Sequence, residues 1–171
     1  MCDNLECKDI ISDDYSYKRK AVNYFNEGYL CSQAVFMAYA KDLGLTKEQA
    51  AKIAGPFGSG MRIAETCGAV TGALMVIGMI YGISDPKDLK AKQHQNHATE
   101  EFIRKFERIE TSVKCKDLLR CDIRTPEGRQ FAIENNLFKC FCPKMVGRAC
   151  DMLKEVIEEE NAIIESEKTH E

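Results

Sequence analysis

Hydrophobic residues recur along this chain at three- and four-residue spacing with no run of strict alternation, and the pattern predicts helix after helix. Ala21, Val22 and Phe25 mark one face of a first helix over Ser16–Asn26, which Gly28 ends. A second starts near Cys31, turns Ala34, Val35, Ala38 and Tyr39 inward, and stops around Gly44. Thr46 and Gln49 form a capping box for a short helix to about Ala54, after which "GPFGSG" cannot continue helically. The stretch 64–81 is apolar nearly all round, the mark of a buried helix about which others pack. Small residues four apart, Gly68 with Gly72 and Gly78 with Gly82, let a neighbouring helix come near it.

Asp85 and Pro86 stand as cap and first residue of a helix that reaches Phe106, with Phe102, Ile103 and Phe106 inward. A short helix, "CKDLLRC", stacks Cys115, Leu118 and Leu119 on one side, and Thr125 with Pro126 starts another. The last begins after Cys142 and Pro143, and Met145, Val146, Ala149, Cys150, Leu153, Val156 and Ile157 give it a broad apolar stripe. Beyond Glu158 the acidic tail is expected to fray, since negative charge opposes the helix dipole there. The fold class predicted is all-α: a single-domain helical bundle around a buried, glycine-containing central helix.

Composition narrows the picture. A chain of 171 residues fits one ordinary domain, and 44% hydrophobic with 30% charged residues is a globular mixture. The net charge is −3 and Lys and Arg form no dense basic block, so no nucleic-acid partner is expected. Asp3 and Glu6 sit where a secretory signal would be positive, and no apolar segment follows; the expectation is a cytoplasmic protein. The uncharged stretch 66–84 nears spanning length, but its four glycines and the adjacent Arg62 and Glu65 favour a buried helix over a membrane span.

Nine cysteines are the unusual feature: Cys2, Cys7, Cys31, Cys67, Cys115, Cys121, Cys140, Cys142 and Cys150. In a reducing compartment such a number points to metal or redox chemistry rather than a disulfide scaffold. Cys31, Cys67, Cys115 and Cys142 fall at or near predicted helix N-termini, where free N–H groups and the positive dipole end favour thiolate, the reactive and ligating form. No Cys-x-x-Cys occurs, which removes the usual thioredoxin and zinc-ribbon signatures. Cys150 lies on the apolar stripe of the last helix and reads as core. Cys121 and Cys140 are alternative ligands or resolving thiols, and Cys2 and Cys7 read as incidental thiols of a polar N-terminus.

Two other motifs carry less. His94 and His97 with Glu101 share a helical face that could grip a metal, although "KQHQNHATEE" reads better as a solvated face. The turn "GPFGSG" lacks the Gly-Lys-Ser/Thr ending of a phosphate loop and has no strand before it, so it reads as a turn passing close to the cysteines.

The run Cys67-Gly68-Ala69-Val70-Thr71-Gly72, continued by "ALMVIGMIYG", resembles the C_GCAxxG_C_C family of redox-active proteins. "GYLCSQAVFMAYA" resembles that family's first cysteine segment, "CKDLLRCD" its third and "CPKMV" its last, which places Cys31, Cys115 and Cys142. The resemblance covers about 17–157, leaving a flexible segment 1–16 and the acidic tail 158–171 outside. It implies a small helical protein with four characteristic cysteines. A similar domain at the C-terminal end of split-Soret cytochromes holds an iron-sulfur centre on cysteines, so the resemblance implies cluster binding here; no haem-attachment Cys-x-x-Cys-His is present.

The leading expectation is a redox-active protein in which Cys31, Cys67, Cys115 and Cys142 converge to hold an iron-sulfur cluster or other thiophilic metal, with Cys121 and Cys140 as alternatives. The second is metal-free thiol-disulfide chemistry on two of the same cysteines, one of them with a depressed pKa from its helix terminus or from Arg62. The third is a non-catalytic helical interaction protein with core cysteines. A redox partner of unspecified identity is implied, and the glycine-spaced faces are compatible with a homodimer.

Overall fold

Residues 16–169, the part of the chain described by the computed structural model, form eight α-helices. They are α1 (Ser16–Asn26), α2 (Cys31–Tyr39), α3 (Lys47–Ala54), α4 (Gly68–Tyr81), α5 (Leu89–Glu110), α6 (Cys115–Leu119), α7 (Pro126–Glu134) and α8 (Cys142–Lys168). Strands are absent among the described residues, where the one isolated β-bridge pairs Thr66 with Lys114. The all-α class is as predicted.

Local chemistry sets most ends. Thr46 Oγ1 accepts from Gln49 N at 3.1 Å while Gln49 Oε1 accepts from Thr46 N at 2.9 Å, closing the expected capping box on α3. Thr125 Oγ1 caps α7 at Gly128 N, 3.0 Å away, with Pro126 in the first turn. Three ends differ from the sequence reading. α5 starts at Leu89, not at Pro86: Asp85 Oδ1 is taken by Lys87 N in a turn, and Asp88 supplies the cap to Ala91 N at 2.9 Å. α2 stops at Tyr39, and turns fill the gap to Gly44. α4 starts at Gly68 and not at Ala64 because Ala64 takes a positive φ of 57° and Glu65 (ψ −126°) and Cys67 (ψ 136°) are not helical.

α2 and α4 pack face to face, α1 and α8 flank α2, and α5 lies against α4 and α8. Val35, Phe36, Val70, Ile77, Phe102 and Leu153 fill the space between them, each 2% exposed or less. Contact between α2 and α4 depends on glycine: a Cβ on Gly72 would stand 2.7 Å from Ser32 O, and one on Gly68 2.9 Å from Ser32 N. Ser32, wholly buried, bonds through Oγ to Ala54 O at 2.7 Å and so ties the start of α2 to the end of α3. No helix among the described residues is long and apolar enough to cross a membrane.

α8 runs unbroken to Lys168 instead of fraying beyond Glu158. The reason lies on α5, where His94 Nδ1 meets Glu160 Oε1 at 2.7 Å and His97 Nδ1 meets Oε2 at 2.5 Å, with the Glu160 side chain 2% exposed. Lys105 adds ion pairs to Glu155 (3.2 Å) and Glu159 (2.9 Å), and Lys90 to Glu167 (3.3 Å). The histidines are thus a helix-to-helix tie and not a solvated face. The hydrogen bond to Glu160 raises the His97 pKa. A raised folded-state pKa contributes stability that is fully present below the unfolded imidazole value, about 6.5, and is lost as pH climbs through the folded value. Urea midpoints are therefore expected to fall between pH 6 and 8, and His97→Gln, which keeps a hydrogen-bonding amide but no titration, is expected to flatten that slope; an unchanged slope would contradict the tie.

Candidate thiol centre

Two helix junctions bring four remote cysteines together. At the first, the chain entering α4 runs antiparallel to the chain entering α6: Cys67 N donates to Val113 O at 2.8 Å and Cys115 N to Glu65 O at 2.6 Å. The Glu65 carboxylate fastens this crossing from outside, 2.7 Å from Lys116 Nζ and 3.7 Å from Lys114 Nζ, and the Lys116 hydrogen bond holds its pKa below the usual carboxylate range. At the second junction Cys31 opens α2 and Cys142 opens α8, two helices in contact. Gly68 presses the start of α4 onto the start of α2, where a Cβ would lie 3.0 Å from Cys31 Cβ.

Both junctions close round one cavity of about 20 Å³ lined by Cys31, Cys67, Cys115 and Cys142, with Leu119, Phe141 and Met145 as its apolar wall. That volume admits roughly one water-sized group. On the outer side a cleft of about 280 Å³ reaches Cys31, Cys115 and Cys142 between Phe25, Tyr29 and Phe138. Ser59 lines both spaces. It belongs to a strained turn in which Ser59, Met61, Arg62 and Ala64 all take positive φ, between 54° and 64°. Left-handed backbone costs non-glycine residues about 1–2 kcal/mol each, so the surrounding packing must impose this turn. Gly60 is required within it: a Cβ would sit 2.9 Å from Cys115 Cβ and 2.7 Å from Glu65 N.

The expected helix positions hold: Cys31, Cys115 and Cys142 are first residues of their helices and Cys67 is the N-cap of α4. The expected consequence does not. A hydrogen bond with Cys142 raises the Cys31 pKa well above the usual thiol value, with burial and charge on Cys142 adding to it. Burial pushes Cys67 up to about 12, and charge on Cys31 adds, although the amides of Ala69 and Val70 pull the other way. Cys115 is raised by burial first, then by charge on Cys67, Cys31 and Cys121. Desolvation and mutual crowding outweigh the helix termini, and neither a depressed thiol nor an effect of Arg62 is found among these three.

The remaining cysteines separate cleanly. Cys121 is half-buried and packs on the Cys115, Leu119 and Cys142 side chains without lining the cavity, and burial raises its pKa. Cys140 is half-buried on the wide turn Leu137–Phe141 and also lies off the cavity. Cys150 is 3% exposed in the main core, as its stripe position implies. Cys2 and Cys7 lie outside the described residues. Sequence reasoning misses Ser59 and the Arg129 side chain, which lines the outer cleft from α7. Only the glycine-rich turn hints at the first, and nothing in the spacing marks the second.

A four-thiol donor set suits a thiophilic metal by its chemistry, but its spacing does not: among the described residues no group of three or more His, Cys, Asp or Glu stands where it could hold one ion.

The sequence profile of the family described as "Putative redox-active protein (C_GCAxxG_C_C)" matches residues 29–156, a span that contains all four cavity cysteines. Neither the curated proteins nor the solved structures provide a match. With most of its length inside that profile, the chain belongs to the C_GCAxxG_C_C family.

Proposed function

We propose that the chain is a thiol redox protein whose working pair is Cys31 and Cys142, cycling between dithiol and disulfide inside the four-cysteine cavity, with 17–157 as the redox unit. One observation carries this reading: Cys31 and Cys142, the first residues of two helices in contact, line the same cavity of about 20 Å³. Two cysteines facing so small a space need little backbone movement to join. In the proposed cycle Cys142 attacks first and Cys31 resolves the mixed disulfide. Cys67 and Cys115 complete the inner cavity, and the outer cleft gives the pair its access to solvent.

A second reading has its own support. Four thiols at helix starts, with backbone N–H groups nearby, are the donor set that an iron-sulfur cluster or zinc uses. Holding either would require the two junctions to open beyond a cavity of about 20 Å³. Analysis of anaerobically purified protein for iron, zinc and acid-labile sulfide, with free thiols counted before and after mild oxidation, separates the two. The proposal expects a loss of two thiols per chain, abolished by Cys31→Ser or Cys142→Ser and kept in Cys150→Ala. Stoichiometric iron and sulfide, lost in Cys67→Ala, would replace it with the cluster reading.

A further inference from the structure

The outer cleft supplies a substrate class for the thiol centre. Its lining includes Cys31, Cys115 and Cys142, and its volume, about 280 Å³, sits at the lower end of small-ligand sites. Phe25, Tyr29 and Phe138 give it apolar sides, and its cationic group is Arg129. Nearby charges are neutralised in pairs, Arg124 by Asp122, Lys116 by Glu65 and Arg148 by Glu110. The exposed Arg129 guanidinium has no ion-pair partner among the described residues. The wider surface agrees: between 112 and 148 the chain has eight Lys and Arg against four Asp and Glu, in a protein of net charge −3. The segment bearing Cys115, Cys121, Cys140 and Cys142 is locally positive, which draws in anions.

We infer that this cleft admits a small disulfide bearing a carboxylate, which Arg129 orients over the Cys31–Cys142 pair. The inference rests on the dithiol reading above. Cys142 attacks one sulfur of the incoming disulfide RSSR, forming Cys142–S–S–R and releasing RS⁻. Cys31 then attacks the protein sulfur of that bond and expels the second RS⁻. The two cysteine protons end on the two released thiolates, so the protein loses two electrons and RSSR becomes two RSH. Arg129 is a positioning residue, since it touches the carboxylate and neither sulfur.

Three near-isosteric disulfides test the assignment: 3,3′-dithiodipropionate (anionic), bis(2-hydroxyethyl) disulfide (neutral) and cystamine (cationic). Rates of Cys31–Cys142 closure in the full chain, each divided by the rate with the neutral monothiol N-acetylcysteine amide, remove differences in leaving-group chemistry. Arg129→Gln is expected to slow the anionic disulfide about three- to tenfold, the scale of one exposed charge-assisted contact, and to leave the neutral one unchanged. The wild-type preference is expected to shrink as salt rises. Equal slowing of the neutral disulfide, or no slowing of the anionic one, overturns the inference. A wild-type chain that fails to close Cys31–Cys142 with the neutral disulfide refutes the dithiol reading itself, and this inference with it.

Discussion

Oxidation of the reduced chain to the Cys31–Cys142 disulfide is expected to stabilise it by roughly 4–5 kcal/mol, the loop-entropy value for a closed loop of about 100 residues. The two cysteines lie about 110 positions apart, so the bond would restrict most of the unfolded chain while joining two side chains that already line one small cavity. The measurement is a guanidinium titration of the same preparation before and after oxidation, monitored by far-UV circular dichroism. Cys31→Ser should remove the whole gain. A gain that survives Cys31→Ser would assign the stabilising disulfide to another pair.

Replacing Gly72 by Val is expected to cost about 3 kcal/mol, the upper end of overpacking penalties. A side chain there meets backbone, Ser32 O at 2.7 Å, and not the free end of a flexible group. α2 must then move off α4, and Ser32 adjoins Cys31, so the same substitution should also slow closure of the thiol pair. Gly78→Ala is the control on the same helix. Nothing lies within 4 Å of a Cβ at Gly78, so that change should stabilise by about 0.5–1 kcal/mol through helix propensity alone. Thermal unfolding of the two variants side by side reads the difference. Equal effects at the two positions would mean that the α2–α4 contact does not set the stability of the bundle.

The sequence carries much of this architecture in short-range signals. Thr46 with Gln49, Thr125 with Pro126, and Gly28 act within one helical turn, and each end lies where those residues put it. Asp85 misleads because Asp88, three residues on, offers the same chemistry, and side-chain type does not decide between two equivalent caps. The four cavity cysteines are legible as helix-start residues, whereas their convergence depends on the 65–67 and 113–115 backbones pairing across more than forty residues, which no local pattern encodes. Their ionisation misleads for a related reason. A helix N-terminus is a local effect, but the burial that dominates Cys67 comes from the packing of α2, α4, α6 and α8 together. Glu160 is hidden in the same way: it looks like one acid among many in the tail, and only the proximity of α5 turns it into the buried partner of His94 and His97.

The central claim is that Cys31 and Cys142 form the redox pair, and disulfide mapping tests it most directly. The chain would be equilibrated in thiol-disulfide buffers of graded potential, trapped with acid and alkylating agent, digested, and its cysteine peptides identified by mass spectrometry. The account predicts a single two-electron transition in which the peptides of Cys31 and Cys142 become cross-linked while Cys150 stays alkylated throughout. A transition that leaves Cys31 and Cys142 alkylated and joins other cysteines would contradict it.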